Sequence, residues 1–236
     1  MPEALACPRE LMLDNVACEG CNSALGTIDQ ALVKQFELRT VVCGVRRKNG
    51  KAPTINSWSA ICSNHKPNGP HIFINGGPNP VDADGKRLHP ASKANGITDI
   101  WTKPEKGQLG FSQEFGNDPR FLPALYKIGL SLVAMHFGPE VAAEPTYDHI
   151  RSFVFSRNGA PALTAGMSTQ IVDVPVSGAS NPFTKDNLTY PLFEIMILGF
   201  TFLLDLAPDQ PGLREIRAAA LVMAEPIHFF PSRLAA

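Results

Sequence analysis

At 236 residues, 44% of them hydrophobic and 18% charged, the chain can bury a sizeable core, which excludes an intrinsically disordered polypeptide. Its 21 Lys and Arg against 22 Asp and Glu give a net charge of −1, without the basic field of a dedicated nucleic-acid binder, so any such contact has to be local. The 21 Pro and 19 Gly are scattered instead of periodic, which excludes a fibre and points to many loops between short elements.

In chain order, the tight turn Cys18-Glu19-Gly20-Cys21 comes first. A helix is predicted from about Ser23 to Cys43, because Leu25, Ile28, Leu32, Phe36 and Arg39 recur at helical spacing, with Gly26 weakening its start. Arg46-Arg47-Lys48-Asn49-Gly50-Lys51 is a basic turn, read as either a local nucleic-acid contact or a solvated loop. Short strands and turns are expected from Ser57 to Phe115, with Trp58 to Cys62 and His71 to Ile74 as strands. Asn117-Asp118-Pro119 announces a second helix, with Asp118 as its cap, running to about Phe137 and stopping at Gly138-Pro139. Leu122, Leu125, Ile128, Leu132 and Met135 should face inward. A further helix is predicted from Tyr147 to Phe155. Thr169 to Val176, Leu192 to Leu206 and Ala218 to Ala224 read as strands of one sheet.

Leu192 to Leu206 is the most apolar stretch, yet Glu194 and Asp205 interrupt it and it falls short of the ~20 apolar residues of a membrane span. No secretory leader pattern is visible, and five cysteines, an odd number, fit a reducing compartment. A cytoplasmic location with no membrane association is therefore expected.

The chemical signal lies near the start. A C-x2-C turn aims two thiolates at one tetrahedral zinc, but zinc needs four ligands, and Cys7, Cys43 and Cys62 are isolated. On spacing alone, Cys18 and Cys21 read equally as metal ligands or as ordinary thiols. His65, His71, His89, His136, His149 and His228 show no metal-ligand spacing, and no nucleophile elbow or phosphate-binding loop is present.

The setting of the pair adds to this. Pro2-Glu3-Ala4-Leu5, then Asn15-Val16-Ala17-Cys18-Glu19-Gly20-Cys21-Asn22, then Leu25-Gly26 and Ile28-Asp29, resembles the four-cysteine branch of the HNH endonuclease superfamily. Its pattern is an E-H-I-I-P-E-A-L-like strand followed by a C-x2-C-N turn and a helix. A basic turn after the first helix, Lys127-Ile128 within a later helix, and Tyr147-Asp148-His149-Ile150-Arg151 loosely resemble the region downstream in that branch.

The resemblance implies that Cys18 and Cys21 bind structural Zn2+ together with an earlier C-x2-C pair. It implies that Asn15 is the middle Asn positioning the general base. Asn22 then takes the place of the last His or Asn, at a catalytic Mg2+ or Mn2+. Read singly, Asn15 is a turn residue and Asn22 a helix cap. The sequence opens one residue before the motif's proline, so the first cysteine pair and the catalytic His are expected upstream of Met1.

The fold class expected is α+β. Residues 1–50 would hold the C-terminal half of a zinc-bound ββα HNH motif and its following helix, and residues 51–236 a mixed helix and antiparallel-sheet domain. Two functions remain open. One is a metal-dependent endonuclease acting on nucleic acid, DNA first. The other is a non-catalytic binding protein retaining the zinc half-site, including a homodimer in which two C-x2-C pairs share one zinc.

Overall fold

A computed structural model describes residues 5–7, 19–43, 45, 97–103, 108–113, 115–155, 160–172, 176–180, 190–223 and 227–230. The architecture is α+β, helices packed with an antiparallel sheet. The strands expected at 58–62 and 71–74 lie outside the described residues, as does the basic turn at 46–51.

The first helix, α1, spans Glu19–Gln35, beginning four residues before the predicted start and taking in Gly20 and Cys21. Leu25, Ile28, Leu32 and Phe36 are buried as their spacing requires. The predicted single helix is broken at Phe36, whose N–H is shared between the carbonyls of Leu32 and Val33 at 3.3 and 3.2 Å. A short α2, Glu37–Val42, follows. A Cβ added at Gly26 would meet nothing within 4 Å. Gly26→Ala should therefore raise stability by about 0.5–1 kcal/mol through helix propensity alone, read as a higher urea midpoint at unchanged slope.

Strands β1 (Ile97–Lys103) and β2 (Gln108–Gln113) form an antiparallel pair. Helix α3 spans Phe121–Phe137, starting two residues beyond Pro119. Asp118 still organises the entry: its Oδ1 accepts from the Arg120 N–H at 2.9 Å and its carbonyl from the Phe121 N–H at 2.9 Å. The Arg120 guanidinium on its carboxylate holds Asp118 below the usual carboxyl range. The helix ends where predicted, at Gly138, which takes φ 104°. Leu125, Ile128 and Leu132 are buried, whereas Leu122 and Met135 are half-buried because Phe121, Ala124 and Val133 share the inward role.

Short α4 (Pro139–Ala143) and a 3-10 turn (Pro145–Tyr147) lead into α5, Asp148–Val154, close to the predicted helix. Arg151 staples this corner, donating to the carbonyls of Ala142 at 2.5 Å and Glu144 at 2.6 Å and to Asp148 Oδ1 at 2.7 Å. His149 meets the carbonyls of Thr146 and Leu206 at 3.0 and 2.9 Å, tying α5 to the loop that follows the sheet's central hairpin.

The remaining strands are β3 (Ala165–Ser168), β4 (Gly178–Ala179), β5 (Leu192–Ile197), β6 (Phe200–Asp205) and β7 (Ile227–Phe230), in the order β4-β5-β6-β3-β7, every neighbour antiparallel. The predicted strand 192–206 is thus two strands joined at Leu198-Gly199. Both turn residues have positive φ, 50° and 87°, as a two-residue primed turn demands. Leucine is costly there, and tertiary contacts hold it. The Leu198 side chain is fully buried, its N–H donates to Ser177 Oγ at 3.0 Å, and its carbonyl accepts from Arg39 Nε at 3.1 Å.

Two predicted strands are corrected. Residues 169–172 and 176 carry no strand; β3 ends at Ser168. Of the strand expected at Ala218 to Ala224, residues 218–223 fall in helix α6, Pro211–Met223, and Ala224 lies outside the described residues. Pro211 at the first helical position and a run of three alanines favour the helix over the short apolar run that suggested a strand.

Helix α3 is central. It packs against α1, α5 and β6, and residues 5–36 and 121–230 contribute to one hydrophobic core. At Gly129 an added Cβ would lie 3.0 Å from Leu206 Cδ2 and 3.3 Å from Leu204 Cδ1, so a larger residue there requires those leucine side chains to shift. Between helix and sheet, Phe36, Phe115, Phe121, Phe200, Phe202 and Phe230 pack edge-on or tilted, with centroids 5.0 to 6.0 Å apart for the closest pairs. Lys127 joins α3 to α1 through an ion pair with Asp29 at 2.6 Å, both side chains partly buried.

Candidate functional site

Two regions carry chemistry, and the first is the start of α1. Helix α1 begins at Glu19, inside the C-x2-C sequence, which sets Cys21 and Asn22 in its first turn. The first N–H groups of a helix are unpaired and its N-terminus carries partial positive charge, a setting in which thiols ionise readily. Asn22 is exposed. Asn15 and Cys18 lie outside the described residues, as does the side chain of Cys21.

As a donor set, two thiolates suit zinc but supply half of a tetrahedral site. Among the described residues no group of three or more His, Cys, Asp or Glu converges. The three described histidines are engaged elsewhere: His149 as above, His136 stacked on Phe193, and His228 edge-on to Phe230.

The second region lies at the other end of the chain, where the segment into β3, the 206–210 loop, α6 and β7 meet. Its base is a buried polar network. The Gln210 side chain accepts from the Thr164 N–H and hydroxyl at 2.9 and 2.8 Å, and its two N–H groups are shared among the carbonyls of Thr164 and Asp205, at 3.0 and 3.2 Å, and the Tyr126 hydroxyl. That hydroxyl donates to the Thr164 carbonyl at 2.5 Å, with the Asp205 carbonyl in reach at 3.1 Å. Burial pushes the phenol well above its ordinary range, so it stays a donor.

Asp205 Oδ2 accepts from the N–H groups of Gly212 and Leu213 at 2.7 and 3.2 Å, and Oδ1 from Ala207 at 2.9 Å. The first turn of α6 is capped from the end of β6, in place of a neighbouring residue.

Above this base opens a cleft of about 240 Å³. Arg214 and Arg217, three residues apart on one face of α6, line it with Leu213, Phe229 and Asp209, and Thr164 and Gln210 also contribute. Arg217 lies over the Phe229 ring at 5.6 Å, and Arg214 pairs with Asp209 at 3.1 Å, both exposed. Sequence reasoning missed these arginines because Ala218 to Ala224 was read as a strand. The signal that finds them is Asp209-Gln210-Pro211-Gly212 as a helix entry.

Comparison with protein-family models, with characterised proteins and with solved structures finds no match. Among the described residues no helix is long and apolar enough to cross a membrane.

Proposed function

We propose that this chain carries the C-terminal half of an HNH-type nuclease centre, with Cys18 and Cys21 as two ligands of a structural zinc. The observation that supports this reading is the start of α1: a helix that begins at Glu19, within the C-x2-C sequence, with Asn22 exposed in its first turn. That is the local architecture a ββα zinc motif uses after its second cysteine pair. Asn15 would steady the loop ahead of the pair. Asn22 would hold or orient a catalytic Mg2+ or Mn2+, which when bound stabilises charge developing on a phosphodiester's leaving oxygen. The family pattern places the other two cysteines and the general base ahead of Pro2. A reducing cytoplasm suits thiolate ligands, and the substrate class is nucleic acid, DNA first.

The test uses protein purified from its source cells, with zinc content and plasmid nicking measured together. Cys18→Ser with Cys21→Ser should abolish zinc binding. Asn22→Ala should keep the zinc and lower Mg2+-dependent nicking by about 10–100-fold, the range for residues that orient a metal site. Equal zinc in wild type and the cysteine variant would overturn the reading. Zinc without nicking would favour the non-catalytic binding protein.

A further inference from the structure

We infer that the cleft beside α6 is a binding site for a phosphate monoester, gripped by Arg214 and Arg217. Nothing at α1 enters this inference, which stands apart from the zinc reading.

Among the described residues, two guanidiniums and one carboxylate line the cleft, a net positive lining in a chain whose overall charge is −1. A phosphate monoester carries about −1.5 to −2 near neutral pH, matching two arginines better than a single carboxylate does. Guanidinium presents paired N–H groups that fit phosphate oxygens, and Arg217 lies over the Phe229 ring at 5.6 Å, so part of its ordering is already in place. The Arg214–Asp209 contact is exposed on both sides, and such pairs contribute about 0–1 kcal/mol, so an incoming dianion competes with it at low cost.

The base of the cleft points the same way. Thr164 and Gln210 direct their polar side-chain atoms into the buried network, leaving the arginines as the main donors to a ligand. Leu213 and the half-buried Phe229 offer apolar surface for a small body attached to the phosphate. The cleft, about 240 Å³, has room for a phosphate and a small attached body. The source of the monoester is either a small metabolite or the terminal phosphate of a nucleic-acid strand.

Calorimetric titration of the full chain with phenyl phosphate, without added divalent ion, tests this. Wild type should bind, and R214Q/R217Q should bind at least about tenfold more weakly. R214K/R217K, which keeps the charges but loses the forked geometry, should fall between them. If the double variant does not fold, R214Q alone, at an exposed position, should still weaken binding severalfold. The inference is overturned if wild type takes up no phenyl phosphate, or if the arginine variants bind it equally well. Preference for a 5′-phosphorylated over a 5′-hydroxyl oligothymidylate would assign the site to strand ends, and no preference, with phenyl phosphate still bound, to small monoesters. Cys18→Ser with Cys21→Ser should leave phenyl phosphate binding unchanged, so failure of the zinc reading would be seen separately.

Discussion

Replacing Gln210 by alanine should cost about 3–4 kcal/mol of stability. The residue is buried, and its amide serves Thr164 and Asp205 as well as the Tyr126 hydroxyl. Without it the Thr164 N–H, in a residue only 2% exposed, loses its acceptor. A buried donor left unsatisfied costs ~1–3 kcal/mol by itself, and the carbonyls of Thr164 and Asp205 each lose a donor as well. Tyr126→Phe removes one hydroxyl and should cost less, about 1–2 kcal/mol.

A second comparison separates the side chain from the backbone. Gln210 sits at φ 49°, where glycine is favoured over alanine by ~1 kcal/mol or more. Gln210→Gly should therefore be less damaging than Gln210→Ala by about that amount. Urea unfolding of the three variants checks both statements. A loss below about 1 kcal/mol in Gln210→Ala would show that the network does not hold this corner.

The contrast between this corner and the first helices shows what sequence makes legible. Leu25, Ile28 and Leu32 declare α1 because a 3.6-residue period needs no knowledge of the partner surface, and Gly138 ends α3 because its φ of 104° suits glycine. Leu192 to Leu206 is apolar enough to be read as sheet, but its turn carries Leu198, a residue that no turn preference selects. Only Ser177, Arg39 and the surrounding core explain its conformation. Helix α6 was misread for a related reason. Its cap, Asp205, lies on the preceding strand, six positions before Pro211, and Gln210 instead of a Ser, Thr, Asp or Asn stands directly before that proline, which leaves Asp209-Gln210-Pro211 as a weak local signal. The cleft depends on α6, and so the two arginines were invisible once that helix was missed. At the other end, the helix expected after the cysteine pair is present, but it begins at Glu19, within the pair, because local spacing marks a helix more clearly than its first residue.

Asp205 provides the other large effect, and its contribution changes with pH. Asp205→Ala should cost about 3 kcal/mol, since the N–H groups of Ala207, Gly212 and Leu213 all lose their acceptor and charge-assisted bonds contribute ~1.5–3 kcal/mol each before desolvation is subtracted. The close seat of Gly212 belongs to the same arrangement: an added Cβ would stand 3.0 Å from Asp205 Oδ2 and 2.9 Å from Leu192 Cδ1. Burial pushes the Asp205 carboxyl above its ordinary 3.8, outweighing the three amide donors that pull it down, and Asp209 adds to the rise. The folded state therefore holds this proton more tightly than the unfolded chain does. The stability from the protonated group is complete below the unfolded value and is lost as pH rises through the folded one. Asp205→Asn cannot titrate, so wild type should lose stability relative to it as pH rises from about 4 towards 7, narrowing any wild-type advantage present at pH ~4. Urea unfolding of the two proteins across that range measures the gap. A gap that widens with pH in wild type's favour would mean that the helix-capping donors outweigh burial, and that Asp205 is held ionised as the anionic cap of α6.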